Sequence, residues 1–287
     1  MPHTPAPPLV IAHRGASADR PENTLPAYAL AVEQGADMIE IDLHLSRDGA
    51  IVIAHDADLG HFGAEGMIGE QTLAELRGLD ATGGRAERET IPTLDEVLDA
   101  FAPGIPFNLE LKWGSDGPYP GLPSAALEAV ESRGLLKQTL FSSFDDSILQ
   151  ELRRLSSGAR LAALVDPRQS EPRNMVERAR GLGAEAVNPH FILVNADLVR
   201  DAHAEGLAVY VYTVDKPDAM RTLLDLGVDG LFTNRPEWMR AKTHYSPGLG
   251  IDLGKSISRD EARQTLGLPA DRRIVLVLAG GGGTGTP

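Results

Sequence analysis

From residue 9 to residue 241, short apolar runs alternate with longer stretches in which apolar positions recur at helical spacing. The short runs predict strands at 9–12, 37–42, 50–54, 106–111, 138–142, 160–165, 185–188, 207–212 and 229–232. The longer stretches predict helices near 24–34, 72–77, 94–101, 124–133, 145–155, 173–181, 195–204, 216–225 and 236–241. Strand followed by helix, repeated in this way, indicates a parallel α/β architecture. The nine strand candidates are one more than a closed eight-stranded (β/α)8 TIM barrel needs. The run at 50–54 follows 37–42 after only an Asp48-Gly49 turn, with no room for a crossover helix. One of that pair is therefore expected to form a hairpin rather than a separate stave.

The regularity is interrupted twice. Residues 56–93 are glycine-rich and poorly periodic, and are expected to form a small insertion over the barrel mouth, after the third strand. From residue 244 onward the pattern breaks, which divides the chain into an expected barrel at 1–243 and a C-terminal extension at 244–287. Within the extension, Ser258-Arg259-Asp260-Glu261 has capping-box spacing and Gly267 is a helix stop, which predicts a helix at 259–266. Ile274 to Leu278 reads as a buried strand running into Gly280–Gly283. No Lys-Ser or Lys-Thr follows, so this is not a P-loop. The tail weakly resembles the start of a glycosyltransferase nucleotide-sugar domain, and a non-catalytic or partly disordered extension is the expected reading.

Composition narrows the function class. The 287 residues are 42% hydrophobic and 24% charged, ordinary values for a globular protein. There is no cysteine, which excludes disulfides and thiolate metal sites. The net charge of −14 argues against a nucleic-acid partner, because such partners are held by phosphate-neutralising Lys and Arg. No apolar run is long enough for a membrane span, and the N-terminus has no basic region followed by an apolar stretch. A cytoplasmic location is expected.

The candidate chemistry lies late in, or just after, the predicted strands: His13, Arg14, Glu40, Asp42, His55, Glu110 and Lys112. In (β/α)8 barrels the active site forms at the C-terminal ends of the strands. Glu40 and Asp42 are two apart on one strand and so share a face, with Ile39, Ile41 and Leu43 facing the helices. Glu110 and Lys112 repeat the spacing. Carboxylates aimed into one mouth repel unless a cation or proton joins them. Glu40, Asp42 and Glu110 would form an all-oxygen site suited to a divalent metal, Mg²⁺ or Ca²⁺, rather than Zn²⁺. The alternative is a buried carboxylate network paired with Arg or Lys. Histidines exchange protons near neutral pH, and an arginine can fork onto a phosphate. The set suits metal-assisted cleavage of a small phosphodiester.

Several segments carry a resemblance. They are His13-Arg14-Gly15, Pro21-Glu22-Asn23-Thr24, Gly35 to Asp42, Asp48-Gly49, His55-Asp56, Glu110-Leu111-Lys112, Ser143-Phe144, Tyr212-Thr213-Val214 and Gly227 to Pro236. In this order, over roughly residues 9 to 240, they resemble the glycerophosphodiester phosphodiesterases. The resemblance implies a TIM barrel, His13 and His55 as the acid–base pair, and Arg14 and Lys112 on the phosphate. In the plainer reading Lys112 is only an ion-pair partner of Glu110 or Glu40. Phe144, Tyr212 and Trp113 are pocket candidates, Glu22 a further contact, and Asn23 the expected cap of the first helix.

His3, His61, His190, His203 and His244 are read as ordinary core or surface residues; His44 continues the Glu40–Asp42 face but the family pattern gives it no role. The chain departs from the family at Gly60-His61-Phe62, after Leu59, and at Asp215, where Asn usually follows Thr-Val. The expected activity is hydrolysis of glycerophosphodiesters to glycerol 3-phosphate and an alcohol, with a cyclic phosphate formed first if a neighbouring hydroxyl attacks. The rivals are a lysophospholipase D and a non-catalytic phosphate-ligand-binding barrel.

Overall fold

A computed structural model describes residues 7–84, 86–168 and 174–243. The helix expected at 259–266 and the strand at 274–278 lie outside the described residues. Eight parallel strands form the barrel: β1 (Leu9–Ala12), β2 (Met38–Leu45), β4 (Phe107–Leu111), β7 (Thr139–Ser143), β8 (Arg160–Val165), β9 (Ala186–Pro189), β10 (Ala208–Val211) and β11 (Gly230–Thr233). Neighbours pair in that order. The sheet closes through β1, which pairs with β11 (Leu9 with Gly230, Ala12 with Thr233) and with β2 (Ile11 with Met38).

The extra strand is β3 (Ile51–Ile53), which lies antiparallel on β2 and outside the parallel barrel. A turn of a few residues can only reverse the chain, so the hairpin follows from the length of the Asp48-Gly49 connection. Main-chain pairing carries β2 three residues past the predicted end at 42, because β3 lies alongside it (Leu45 with Ile51). A second, two-residue hairpin, β5 (Trp113–Gly114) and β6 (Gly117–Pro118), had no apolar run to announce it.

The helices are α1 (Leu25–Glu33), α2 (Leu73–Leu76), α3 (Leu94–Phe101), α4 (Leu122–Glu131), α5 (Asp146–Leu155), α6 (Met175–Gly181), α7 (Ala196–Ala204), α8 (Pro217–Asp225) and α9 (Pro236–Thr243). Thr24, not Asn23, caps α1, its side chain accepting from the Ala27 amide. Short helical turns at Gly60–Phe62 and Ile68–Glu70 precede α2 in the 56–93 excursion. The excursion has its own core of Leu59, Ile68, Leu76, Ala81 and Ile91, packed with Val52 and Ala54.

Alternation along the strands sorts the side chains. Ile39, Ile41, Leu43, Phe107, Leu109 and Leu111 join the main core with residues of the outer helices, such as Leu94, Leu98 and Leu149. The opposite parity contributes Ile11, Met38, Leu140, Ala162, Ala186, Tyr210 and Phe232 to a separate buried cluster that fills the barrel. Further along β2, β7 and β9 that parity becomes polar (Glu40 and Asp42, Ser142, Asn188), and β4 adds the buried Asn108 and Glu110. The apolar plug is thus the floor of a polar mouth. Truncating a fully buried plug residue, Leu140→Ala, is expected to cost about 2–5 kcal/mol. Urea unfolding of the two proteins measures it.

Candidate active site

The loop after β1 is shaped by backbone conformation. Arg14 and Gly15 have φ of 56° and 85°, and Asn23 has φ of 58°. At Gly15 an added Cβ would lie 2.7 Å from the carbonyl carbon of Ala27, so only glycine lets this loop pack on α1. The turn aims the Arg14 amide at Glu40, with N to Oε2 2.8 Å. The Arg14 guanidinium pairs with Glu22 (3.0 Å) and with Asp42 (3.3 Å). Asn23 does not serve the helix. Its Nδ2 donates to Asp42 (2.9 Å) and its Oδ1 accepts from the Tyr28 hydroxyl (2.8 Å).

Strands β2 and β4, in register with Asp42 opposite Glu110, supply the acidic centre. One carboxylate oxygen from each of Glu40, Asp42 and Glu110 lies within 4.8 Å of the others, and all three residues are buried. Lys112 bridges two of them, its Nζ 2.7 Å from Glu110 and 3.0 Å from Asp42. The ion pair read from the sequence is therefore present, with Asp42 rather than Glu40 as the second partner. Burial raises the proton affinity of Glu40 well above the usual carboxylate range, and Asp42 and Glu110 raise it further. Burial likewise raises that of Glu110. Burial works against ionisation of Asp42 as well, but Lys112 and Arg14 overcome it and hold this carboxyl low. Lys112 is held charged by Asp42 and Glu110 in spite of its own burial.

Three carboxylates face two cations, and Arg14 is shared with Glu22. Oε1 of Glu40 has no hydrogen-bond partner although it is buried. A buried carboxylate oxygen without a partner, in an all-oxygen cluster with excess negative charge, fits a hard divalent cation.

His13 is half-buried at the end of β1, its Nδ1 2.7 Å from Oδ1 of Asn234. Burial first, and then Arg14, lowers its pKa to about 4. His55 follows β3, with Nδ1 2.8 Å from Asp56. His44, which the family pattern leaves without a role, supports His55 from below. Its Nε2 lies 3.2 Å from the His55 carbonyl and its Nδ1 3.0 Å from the Tyr119 hydroxyl.

These groups surround a cavity of about 300 Å³. His13, Arg14, Glu40, His55, Glu110 and Lys112 line it, as do Phe144 and Tyr212, whose rings meet edge to face at 5.9 Å. Trp113 does not line it: it sits on β5 with half its surface exposed. His190 corrects the opposite expectation, since it lines the cavity and its ring packs edge to face on Tyr212. Sequence reasoning passed over it because a histidine after a short strand carries no partner signal in the linear chain. His61 and Phe62 line a narrow cleft beside His55 and Asn23.

A closed parallel barrel with an acidic, cation-laced cavity at the carboxyl ends of its strands has the layout of a barrel enzyme for a small anionic substrate. The defining sequence pattern of the "Glycerophosphoryl diester phosphodiesterase family" matches residues 13–238. A glycerophosphodiester phosphodiesterase of Caldanaerobacter subterraneus subsp. tengcongensis is 32% identical over 234 residues, covering 80% of this chain and 95% of that protein. One of Bacillus subtilis is 31% identical over 249 residues, covering 80% and 84%. Among solved structures, an Oleispira antarctica phosphodiesterase in complex with the product sn-glycerol-3-phosphate superposes with a TM-score of 0.71 at 34% identity, covering 83% of this chain and 97% of that one. The chain belongs to this family and is an enzyme of the glycerophosphodiester phosphodiesterase class.

The buried histidine beneath the site makes stability depend on pH. Burial lowers the pKa of His44 to about 4, against 6.5 for an unhindered ring. Between those values the unfolded chain binds the proton more readily, so this group's contribution is full above pH 6.5 and is lost as pH falls toward 4. His44→Gln is accordingly expected to destabilise more at neutral pH than in mild acid, by comparison of urea midpoints with the wild type at both pH values.

Proposed function

We propose that the chain hydrolyses glycerophosphodiesters to glycerol 3-phosphate and an alcohol, with His13 and His55 as its acid–base pair and a divalent metal, Mg²⁺ or Ca²⁺, in the carboxylate cluster. The observation that carries this reading is the convergence of His13, His55, Arg14, Lys112, Glu40 and Glu110 on one cavity, with Asp42 clustered against the two glutamates. Glu40, Asp42 and Glu110 would hold the metal, which when bound supplies positive charge against the phosphate oxygens. The family relationship and the glycerol 3-phosphate held by the Oleispira antarctica enzyme support the substrate class.

The chain's own residues divide the work. Arg14 and Lys112 bind the phosphate oxygens and offset the charge that builds in the transition state. His13, with its pKa near 4, is neutral at pH 7 and takes the proton from the attacking oxygen, a neighbouring glycerol hydroxyl or water. As the new oxygen–phosphorus bond forms, the bond to the departing alcohol breaks, and His55 returns a proton to the alkoxide. Asp56 orients His55 through Nδ1. Phe144 and Tyr212 wall the side of the cavity. Attack by a hydroxyl leaves a cyclic phosphate, which water then opens with the proton roles reversed.

A second reading has an observation in its favour. Phe191 and Ile192 are 42% and 60% exposed immediately beyond His190 at the mouth, an apolar rim of the kind an acyl chain of a lysophospholipid would touch. Turnover of lysophosphatidylcholine against glycerophosphocholine separates the two.

Release of glycerol 3-phosphate from glycerophosphocholine is expected to stop with EDTA and to return with Mg²⁺ or Ca²⁺; activity unaffected by chelation would remove the metal from the reading. His13→Gln and His55→Gln are each expected to lower kcat by roughly 10²- to 10⁴-fold. Full activity in both would sink the acid–base assignment.

A further inference from the structure

The departure at Asp215 lies behind His13. Asp215 Oδ1 accepts from the Asn234 amide (2.8 Å) and from the Thr233 hydroxyl (3.1 Å). Its Oδ2 accepts from the side-chain nitrogen of Asn234 at 2.6 Å. A carboxylate accepts hydrogen bonds and has none to give, so it dictates which end of the Asn234 amide faces it. The nitrogen turns toward Asp215 and the oxygen toward His13, where Oδ1 lies 2.7 Å from Nδ1. Ser17 faces the same oxygen at 2.7 Å, its single hydroxyl hydrogen shared between Oδ1 and the His13 carbonyl at 2.8 Å. An amide oxygen can only accept, so the ring nitrogen facing it must bear the hydrogen.

We propose that Asp215 is a positioning residue: through Asn234 it fixes His13 as the Nδ1–H tautomer, keeping the Nε2 lone pair free for the proton the reaction releases. This rests on His13 acting as the base in the function proposed above. The logic is that of a carboxylate orienting a catalytic imidazole, with an amide interposed, so that the group touching the ring is neutral. A neutral neighbour also leaves His13 without a directly hydrogen-bonded carboxylate, which suits a base that must stay unprotonated.

An asparagine at 215 reverses the chain of acceptors. Its amide nitrogen, placed at the Oδ2 position, would face the nitrogen of Asn234, donor against donor. The relief is for Asn234 to turn over and offer its nitrogen to His13, which drives the ring hydrogen to Nε2. Exchanging both residues, Asp215→Asn with Asn234→Asp, restores an acceptor opposite Nδ1 and a donor behind it.

The test begins with the wild-type protein. In ¹⁵N-histidine-labelled protein at neutral pH, the His13 resonances, identified by their loss in His13→Gln, are expected to report hydrogen on Nδ1. Hydrogen on Nε2 would overturn the proposal without any variant. D215N is expected to shift the hydrogen to Nε2 and to lower kcat by roughly 10²- to 10⁴-fold, with KM for glycerophosphocholine little changed. The D215N/N234D double variant, which sets a carboxylate against Nδ1 and so favours the protonated ring, is expected to recover the Nδ1–H signature and, assayed at alkaline pH, most of kcat. A folded D215N that keeps the Nδ1–H signature, or a folded double variant that recovers neither, overturns the proposal. If D215N alone does not fold, the wild-type spectrum and the double variant decide. A tautomer switch with no loss of kcat would leave the lock standing and remove His13 as the base, so failure of the proposed function is distinguishable from failure of this inference.

Discussion

Charge compensation in the barrel mouth governs the structure around it. Three carboxylates from two adjacent strands are brought into mutual contact above an apolar plug, where little water screens them. Each element nearby answers that concentration of charge. Lys112 bridges Asp42 and Glu110, Arg14 reaches Asp42 and gives its backbone amide to Glu40, and Asn23 donates to Asp42. Compensation stops short at Glu40, whose Oε1 lacks a partner. Removing either cation would leave a buried charge exposed to the full cost of desolvation, which is why such pairs are far costlier to break than they are favourable to form.

The loop geometry follows from the same constraint. Bringing the Arg14 amide onto Glu40 requires a backbone turn with positive φ at Arg14 and Gly15, and the close approach to Ala27 admits no side chain at Gly15. Asn23, also at positive φ, can then turn inward between Asp42 and Tyr28, leaving Thr24 to cap the helix. The motif His-Arg-Gly is thus one histidine facing the cavity, one cation for the carboxylates, and one residue whose lack of a side chain lets the other two be placed.

The two histidines are supported differently. His55 leans on an exposed carboxylate next to it in sequence, with His44 beneath its carbonyl. His13 meets an amide whose far side is held by a carboxylate from the loop after β10. Burial first, and then the neighbouring Arg14 cation, favour the unprotonated ring at His13. The asymmetry suits a reaction that takes a proton at one end and delivers one at the other.

Much of this was written in the linear chain. Alternating runs predict the barrel, the short Asp48-Gly49 connection predicts the hairpin of β2 and β3, and i,i+2 spacing places Glu40 with Asp42 and Glu110 with Lys112, because these are local properties of an extended backbone. What the sequence could not disclose depends on contacts between distant residues. Asn23 looks like a helix cap and His190 like a surface histidine until the barrel closes and turns both toward the site. Asp215 reads as a departure from a motif, and only the juxtaposition of β10, β11 and β1 sets it behind Asn234 and His13. Sequence by itself determined which residues share a face. Which faces meet, and hence which charges must compensate one another, was decided by closure of the sheet, because pairing β1 with both β2 and β11 is a long-range event that no local pattern encodes.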